Sequence, residues 1–442
     1  MSKEKLLTGC SDMINCSNKL TPEKILSKYQ LDKYVAIFSI ILVIVFLIAT
    51  PFSHDDVEYF VNQHVSLNWL IHDRYLSWSH RIIIESILPF LVQHPYVFKF
   101  CNVVILLVAY IGLRMIYKKY NVNWIILFFT LCLFPYYAFS SAGIAATLVN
   151  YYYPICISFL VLGVTYNNDN YNAFNRILLF VLVLLLTLFC TNHEQLAACL
   201  FAIYVFFYRE FKNQKLTCAV IIISLTSLVF CLISPGNHLR LQQSILSFMP
   251  EFSSYSIFQK IYLGLSSGLY TLTFTDCMPF TLCLISLVFA KFRKYRYILF
   301  TLIAEYIVLK LVVKTTIKSS FLKFDGSFIS MFPVSVFCIL VFFALILFVL
   351  TFILEIDLKQ KIGISFFILL SFVIKFLAGF SPTVFASQER TALFSEIMMI
   401  MISLFILFSS KVNKSQISLI MCLFVLYTDV RHMLPIVFGY FL

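Results

Sequence analysis

With 442 residues, 61% of them hydrophobic, and a mean hydropathy of +0.92, the chain is far too apolar for a water-soluble globule, whose apolar share is about half. The net charge of +12 sits in short clusters between apolar runs, a topology signal that argues against nucleic acid as a partner. The 13 Cys include no CxxC pair and no Cys/His ligand spacing, which argues against a disulfide framework and a structural zinc.

Residues 1–33 are polar and lack a signal-peptide pattern, so they read as a cytoplasmic tail before an uncleaved anchor. Residues 34–442 read as one polytopic membrane domain. Apolar runs of membrane-crossing length fall near 34–52, 96–116, 122–137, 150–165, 176–190, 195–208, 216–234, 276–290, 297–313, 332–354, 362–379, 392–408 and 416–436. The expected fold class is an all-α integral membrane bundle of about 11 to 13 transmembrane helices. The basic clusters Arg114/Lys118/Lys119, Arg209/Lys212/Lys215, Lys291/Arg293/Lys294/Arg296, Lys359/Lys361 and Lys411/Lys414 then share one side, the cytoplasmic one by the positive-inside rule. Lys314, Lys318 and Lys323 land on the opposite side, through the parity of the flanking loops or through a miscounted helix. Cytoplasmic loops are short and carry no phosphate-binding glycine motif, which argues against a nucleotide-driven mechanism.

The outer loops hold the polar interest. Just past the first run stands Ser53-His54-Asp55-Asp56-Val57-Glu58-Tyr59. Adjacent carboxylates repel and are costly beside hydrocarbon, so Asp55 and Asp56 read as functional, although a cap from Ser53 or Asp55 on the next turn is the plainer alternative. The same loop carries Ser79-His80-Arg81 and then a stretch from Ile82 to Val92 with the look of an interfacial helix, on which Arg81 and Glu85 are spaced to pair.

Gly143 to Tyr153 runs from small residues into an aromatic cluster; Tyr151 there can line a sugar-binding rim or simply mark the interface. Thr191-Asn192-His193-Glu194-Gln195 forms a tight polar hairpin, functional or merely a turn. Ser234-Pro235-Gly236-Asn237 is a turn signal followed by Arg240, and Arg390 follows Ser381-Pro382 in the same way. Both arginines suit an anion. Gly264 and Gly268 form GxxxG, a close-packing signature.

In this order the motifs resemble the polytopic GT-C-type glycosyltransferases, most closely the serotype-converting O-antigen glucosyltransferases of phage-derived Gtr cassettes. The resemblance covers nearly the whole membrane region, on short and degenerate motifs. It implies GT-C-like periplasmic loops with interfacial helices and a multi-pass protein of the bacterial inner membrane. The implied donor is a hexose, glucose in those relatives, on undecaprenyl phosphate, and the acceptor is a lipid-linked O-antigen repeat. A flippase and a polyprenyl-phosphate glucosyltransferase would be functional partners. It also implies an acid of the first outer loop at the reacting hydroxyl, here Asp55 or Asp56; His80 stands where those relatives commonly have Gly.

Glycosyl transfer needs a base for the acceptor hydroxyl and positive charge for the departing phosphate. Asp55, Asp56 and Glu194 are the expected catalytic acids, with Glu58 in support. His80, Arg81, His193, Asn237, Arg240, Arg390 and Tyr151 are the expected substrate contacts, the three arginines as phosphate candidates. One base without a covalent intermediate would invert the anomeric centre. A bridging Mg or Mn ion is an open option, and no metal ligand is assigned. The rivals are a flippase or transporter of lipid-linked glycans, which would place charges along a mid-membrane path, and an O-antigen polymerase with its arginines in two large outer loops.

Overall fold

The computed structural model describes residues 31–140, 143–167, 173–272, 278–289, 356–384, 387–410 and 412–439, with Thr351 and Leu354. Among them there is helix and turn but no strand. Among the described residues, seven helices are long and apolar enough to cross a membrane: α1 (Leu31–Ala49), α3 (Pro95–Ile116), α5 (Ile144–Asn167), α8 (Gln214–Ile233), α12 (Leu358–Phe380), α13, whose membrane-length part is Arg390–Ser409, and α14 (Lys414–Gly439). Shorter apolar helices are α2 (Ile82–Gln93), α6 (Ile177–Thr191), α7 (Glu194–Phe206) and α11 (Met278–Leu287). The runs expected at 297–313 and 332–354 lie outside the described residues, apart from Thr351 and Leu354, as do the tail at 1–30 and the basic cluster at 291–296.

The run at 122–137 does not form a membrane-length helix. It gives α4 (Trp124–Cys132), of 9 residues, and then a 3₁₀ segment, Tyr136–Ser140. Pro135 between them has no N–H to continue the ladder. The stretch after Arg81 is the helix expected there: α2 buries Ile84, Leu88 and Leu91 and leaves Ile83, Ile87 and Phe90 exposed. At 12 residues it is too short to span.

Small residues bring the helices together, because lipid tails remove the hydrophobic drive that would do so in water. A Cβ on Gly112 of α3 would lie 2.5 Å from the backbone of Phe159 and Leu160 in α5, and one on Gly163 would lie 2.7 Å from Met115. The expected role of GxxxG is seen at Gly264 of α10 (Ile257–Tyr270), which packs backbone to backbone on Phe376 and Gly379 at the end of α12. Polar pairs add to this. Asn102 donates to the Leu47 carbonyl at 2.9 Å and accepts from Tyr153 at 2.7 Å, tying α1, α3 and α5. Ser39 donates to Asp429 and Ser418 to Asp32, clamping α1 to α14.

The basic loops among the described residues meet at one end of the bundle. Lys359 pairs with Glu210 at 2.6 Å, Lys212 donates to the Asn167 carbonyl, Asn167 to that of Met115, and Lys414 to that of Asn121. The loops carrying Asp55, Arg81, Glu194 and Arg240 lie at the opposite ends of the helices they join.

Candidate functional site

The two acids have different surroundings. After α1 the chain turns at His54, whose φ of +48° is rare for a residue with a side chain. Asp56 is then 0% exposed. Its Oδ1 accepts from the Ala146 amide at 2.8 Å, and its Oδ2 from Ala145 at 3.0 Å and Ser53 at 3.4 Å. Ala145 and Ala146 belong to the first turn of α5, where backbone N–H groups have no partner within the helix and the helix dipole favours an anion. Asp56 therefore caps α5 from another segment of the chain. Gly143 makes room for it: φ is +105°, and a Cβ would lie 2.7 Å from Asp56 Oδ1. Burial pushes the Asp56 carboxyl up, and the three amides pull it back in part.

Asp55 has no hydrogen bond or ion pair among the described residues and is half-buried. Burial raises its carboxyl above the usual carboxylate range; the charge of Arg390 opposes this and Glu58, exposed three residues on, reinforces it. Arg390, in the first turn of α13 (Gln388–Ser409), donates from Nη2 to Ser387 at 3.5 Å and keeps a buried Nε with no acceptor.

The second group surrounds Glu194, the first residue of α7. Arg81 grips this carboxylate through both faces of its fork, Nε to Oε2 at 3.0 Å and Nη2 to Oε1 at 2.5 Å, while Nη1 donates to Asn150 at 3.3 Å. Its guanidinium lies 5.9 Å from the Tyr151 ring. Burial would raise Glu194, but the Arg81 charge dominates and holds the carboxyl well below the usual range. Asn237 Nδ2 donates to His80 Nδ1 at 3.0 Å, so the proton sits on His80 Nε2, 3.7 Å from Glu194 Oε2. Burial keeps His80 and His193 neutral at pH 7. His193 lies between the rings of Tyr151 and Phe394, centroids 4.7 and 4.8 Å away, and neither ring nitrogen has a partner.

Backbone contacts bring the three outer segments together. Asn192 accepts from the Ile84 amide at 3.0 Å, which seats the 191–195 hairpin on the start of α2. Ser234-Pro235-Gly236 opens α9 (Pro235–Phe248): Pro235 occupies the first turn, where no N–H is needed, and a Cβ on Gly236 would be 2.6 Å from Trp78 N and Tyr75 O.

The pairing of Arg81 with Glu85 is not formed. Glu85 pairs with Arg74, whose guanidinium lies 5.3 Å from the Phe60 ring and 5.2 Å from that of Trp69, and Glu194 takes Arg81. The Arg81 charge is already paired: three of its five N–H groups donate, two of them to Glu194. Asn150, Asn192, Arg74 and Glu85 were not among the expected site residues; the partners of Asn150 and Asn192 lie 69 and 108 residues away in the chain, and Arg74 and Glu85 are 11 apart. Two buried acids inside helices, Glu396 and Asp429, were also missed, though a charge within an apolar run is itself the signal. A metal bridging the two adjacent acids does not fit, because amide donors fill both oxygens of Asp56. Among the described residues no group of three His, Cys, Asp or Glu could hold an ion.

No protein-family model, curated protein or solved structure matches this chain.

Proposed function

We propose that the protein is an inverting, GT-C-type hexosyltransferase that moves a sugar, glucose by the resemblance, from undecaprenyl phosphate to lipid-linked O-antigen repeats at the periplasmic face of the bacterial inner membrane. The observation that carries the reading is the unequal pair: Asp56 is fully bonded, while Asp55 keeps a free, half-buried carboxylate beside Arg390. Asp55 takes the proton of the acceptor hydroxyl as that oxygen bonds the anomeric carbon and the carbon–phosphate-oxygen bond breaks. The polyprenyl phosphate leaves on the far side, and Asp55 passes its proton to water. Glu194 is too firmly held by Arg81 to act as a base and serves to orient the loops.

Basic loops at one end and the acid site at the other support a cytoplasmic N-terminus and a periplasmic site. A total of about 11 to 13 spans requires most of the shorter apolar helices and the runs at 297–313 and 332–354 to cross as well. The transporter reading draws on Glu396 and Asp429, buried within helices; Tyr137 donates to Glu396 at 3.5 Å and Ser39 to Asp429. Mass spectrometry of host O-antigen with and without the chain separates the readings. A gain of one hexose per repeat is expected; an unchanged repeat mass contradicts transfer.

A further inference from the structure

Deep in the bundle sits a carboxyl that hexose transfer does not use. Asp429 follows 15 residues of α14, Lys414–Thr428, and at about 1.5 Å per residue it lies about 22 Å from the basic end of a helix long enough to cross the hydrocarbon. It is 1% exposed. The helix widens here: the Leu434 N–H donates to the Asp429 carbonyl, five residues back, because Pro435 has no N–H and its ring crowds the turn before it. Ser39 of α1, 0% exposed, donates to Asp429 Oδ2, while Oδ1 is buried without a partner. No Lys, Arg or His pairs with Asp429 among the described residues. Arg431 is exposed and donates to the Tyr427 hydroxyl instead. The other titratable groups around it are Cys132 of α4 and Cys422 of α14, which feel its charge, and Tyr136 and Tyr137 of the 3₁₀ segment packed on the turn. The Tyr137 ring stacks on His432 at 4.6 Å, and its hydroxyl donates to Glu396 of α13 at 3.5 Å.

We propose that Asp429 is a proton-binding site inside the membrane, with Ser39 as its hydrogen-bond partner in both states. A clamp between α1 and α14 needs one accepting oxygen, and Asn would supply it without charge; what Asp adds is an exchangeable proton. In the ionised state Ser39 donates to Oδ2, and nothing else among the described residues supports the negative charge at this depth. On taking one proton from water at Oδ2, the acid donates to Ser39 Oγ, and the Ser39 hydroxyl turns to a carbonyl of its own helix one turn earlier. The step forms one O–H bond, needs no co-reactant and is reversed by returning the proton to water. The described oxygens, two from the carboxyl and one from Ser39, are fewer than the roughly six that a hard metal ion takes, so the ligand is the proton. This site is independent of the transferase reading, in which Asp55 alone handles the acceptor's proton.

Treating the full chain in detergent with dicyclohexylcarbodiimide, an apolar reagent that adds covalently to protonated carboxyls, and mapping the adduct by peptide mass spectrometry tests the site without any sugar transfer. The expected result is an adduct on Asp429 that grows as pH falls from about 9 to about 5 and is absent from Asp429→Asn. In Ser39→Ala, which removes the hydrogen bond to the ionised form, half-labelling is expected about 0.5–1 pH unit higher. Asp429→Asn keeps an acceptor for Ser39 and is expected to fold; its melting point checks this. As a reagent-free readout, the melting difference between the wild type and Asp429→Asn is expected to change with pH over the same range. Protection from labelling by sodium chloride but not by choline chloride at fixed pH identifies an alkali ion competing for the same carboxylate and still supports an exchangeable site. An absent or pH-independent adduct together with a constant melting difference overturns the proposal. Labelling as expected with no hexose gain on O-antigen would leave the proton site standing and remove the transfer reaction.

Discussion

Gly143 and Asp56 are a matched pair, and each makes the other's substitution expensive. Gly143→Ala forces a side chain into a left-handed backbone and against the Asp56 carboxylate, and is expected to destabilise by about 1–3 kcal/mol, read as a drop in melting temperature. Asp56→Asn keeps the shape but replaces one accepting oxygen by an NH2 that faces a backbone N–H, donor against donor, for an expected loss of about 1–3 kcal/mol. Asp55 responds to pH instead. Its carboxyl is raised, and a base must be ionised, so transfer is expected to fall as pH drops through that raised value, above that of an unperturbed Asp. Removing the opposing charge with Arg390→Ala should move the acid limb to higher pH in a pH–rate profile; an unmoved limb would show that Arg390 does not act through Asp55. At this scale the sequence was informative about which residue types matter and mute about their partners. Asp55-Asp56 advertised two equal acids, and only the fold puts α5's amides, from about ninety residues on, against one of them.

The tertiary pairings belong to the elements. The 191–195 hairpin, the start of α2 and the start of α9 meet through Asn192, Gly236 and the Arg81–Glu194 pair, so the outer face is held by segments from three parts of the chain. Glu194→Ala leaves Arg81 largely buried and unpaired and is expected to lower stability by about 2–3 kcal/mol at neutral pH. The sign with pH follows from the depressed Glu194 carboxyl: the contribution is present above its unfolded value and is lost only as pH falls through the lowered folded one. Melts of wild type and Glu194→Ala that differ by the full increment at neutral pH and converge as pH falls progressively below 4.5 would check it. Motif chemistry was partly legible here: Ser-Pro-Gly-Asn, expected as a turn, is instead the start of α9, with Ser234 just outside it and Pro235 at its first position, and its Gly is required by a neighbouring backbone. The partner exchange between Glu85 and Glu194 was not legible, because a local i,i+4 spacing competes with a bidentate grip from a distant helix and loses.

For the molecule as a whole, hydropathy exposes the helical membrane class and most of the apolar elements, since length and composition determine both. It overreads runs such as 122–137, where a proline ends the helix early. The bundle has a basic end and an end bearing the candidate site, and this predicts opposite accessibility to a membrane-impermeant thiol reagent for single cysteines placed at Glu58 and at Lys119, in a background without exposed Cys. With the proposed orientation Glu58→Cys is labelled from the periplasm and Lys119→Cys only after permeabilisation; the same sidedness for both would break the topology. The central claim is that one acid does chemistry while its neighbour holds the fold. Its most direct measurement is the initial rate of hexose transfer per mole of folded, membrane-inserted Asp55→Asn protein. The account predicts a loss of at least about a hundredfold with an unchanged melting temperature; a rate near that of the wild type would contradict it.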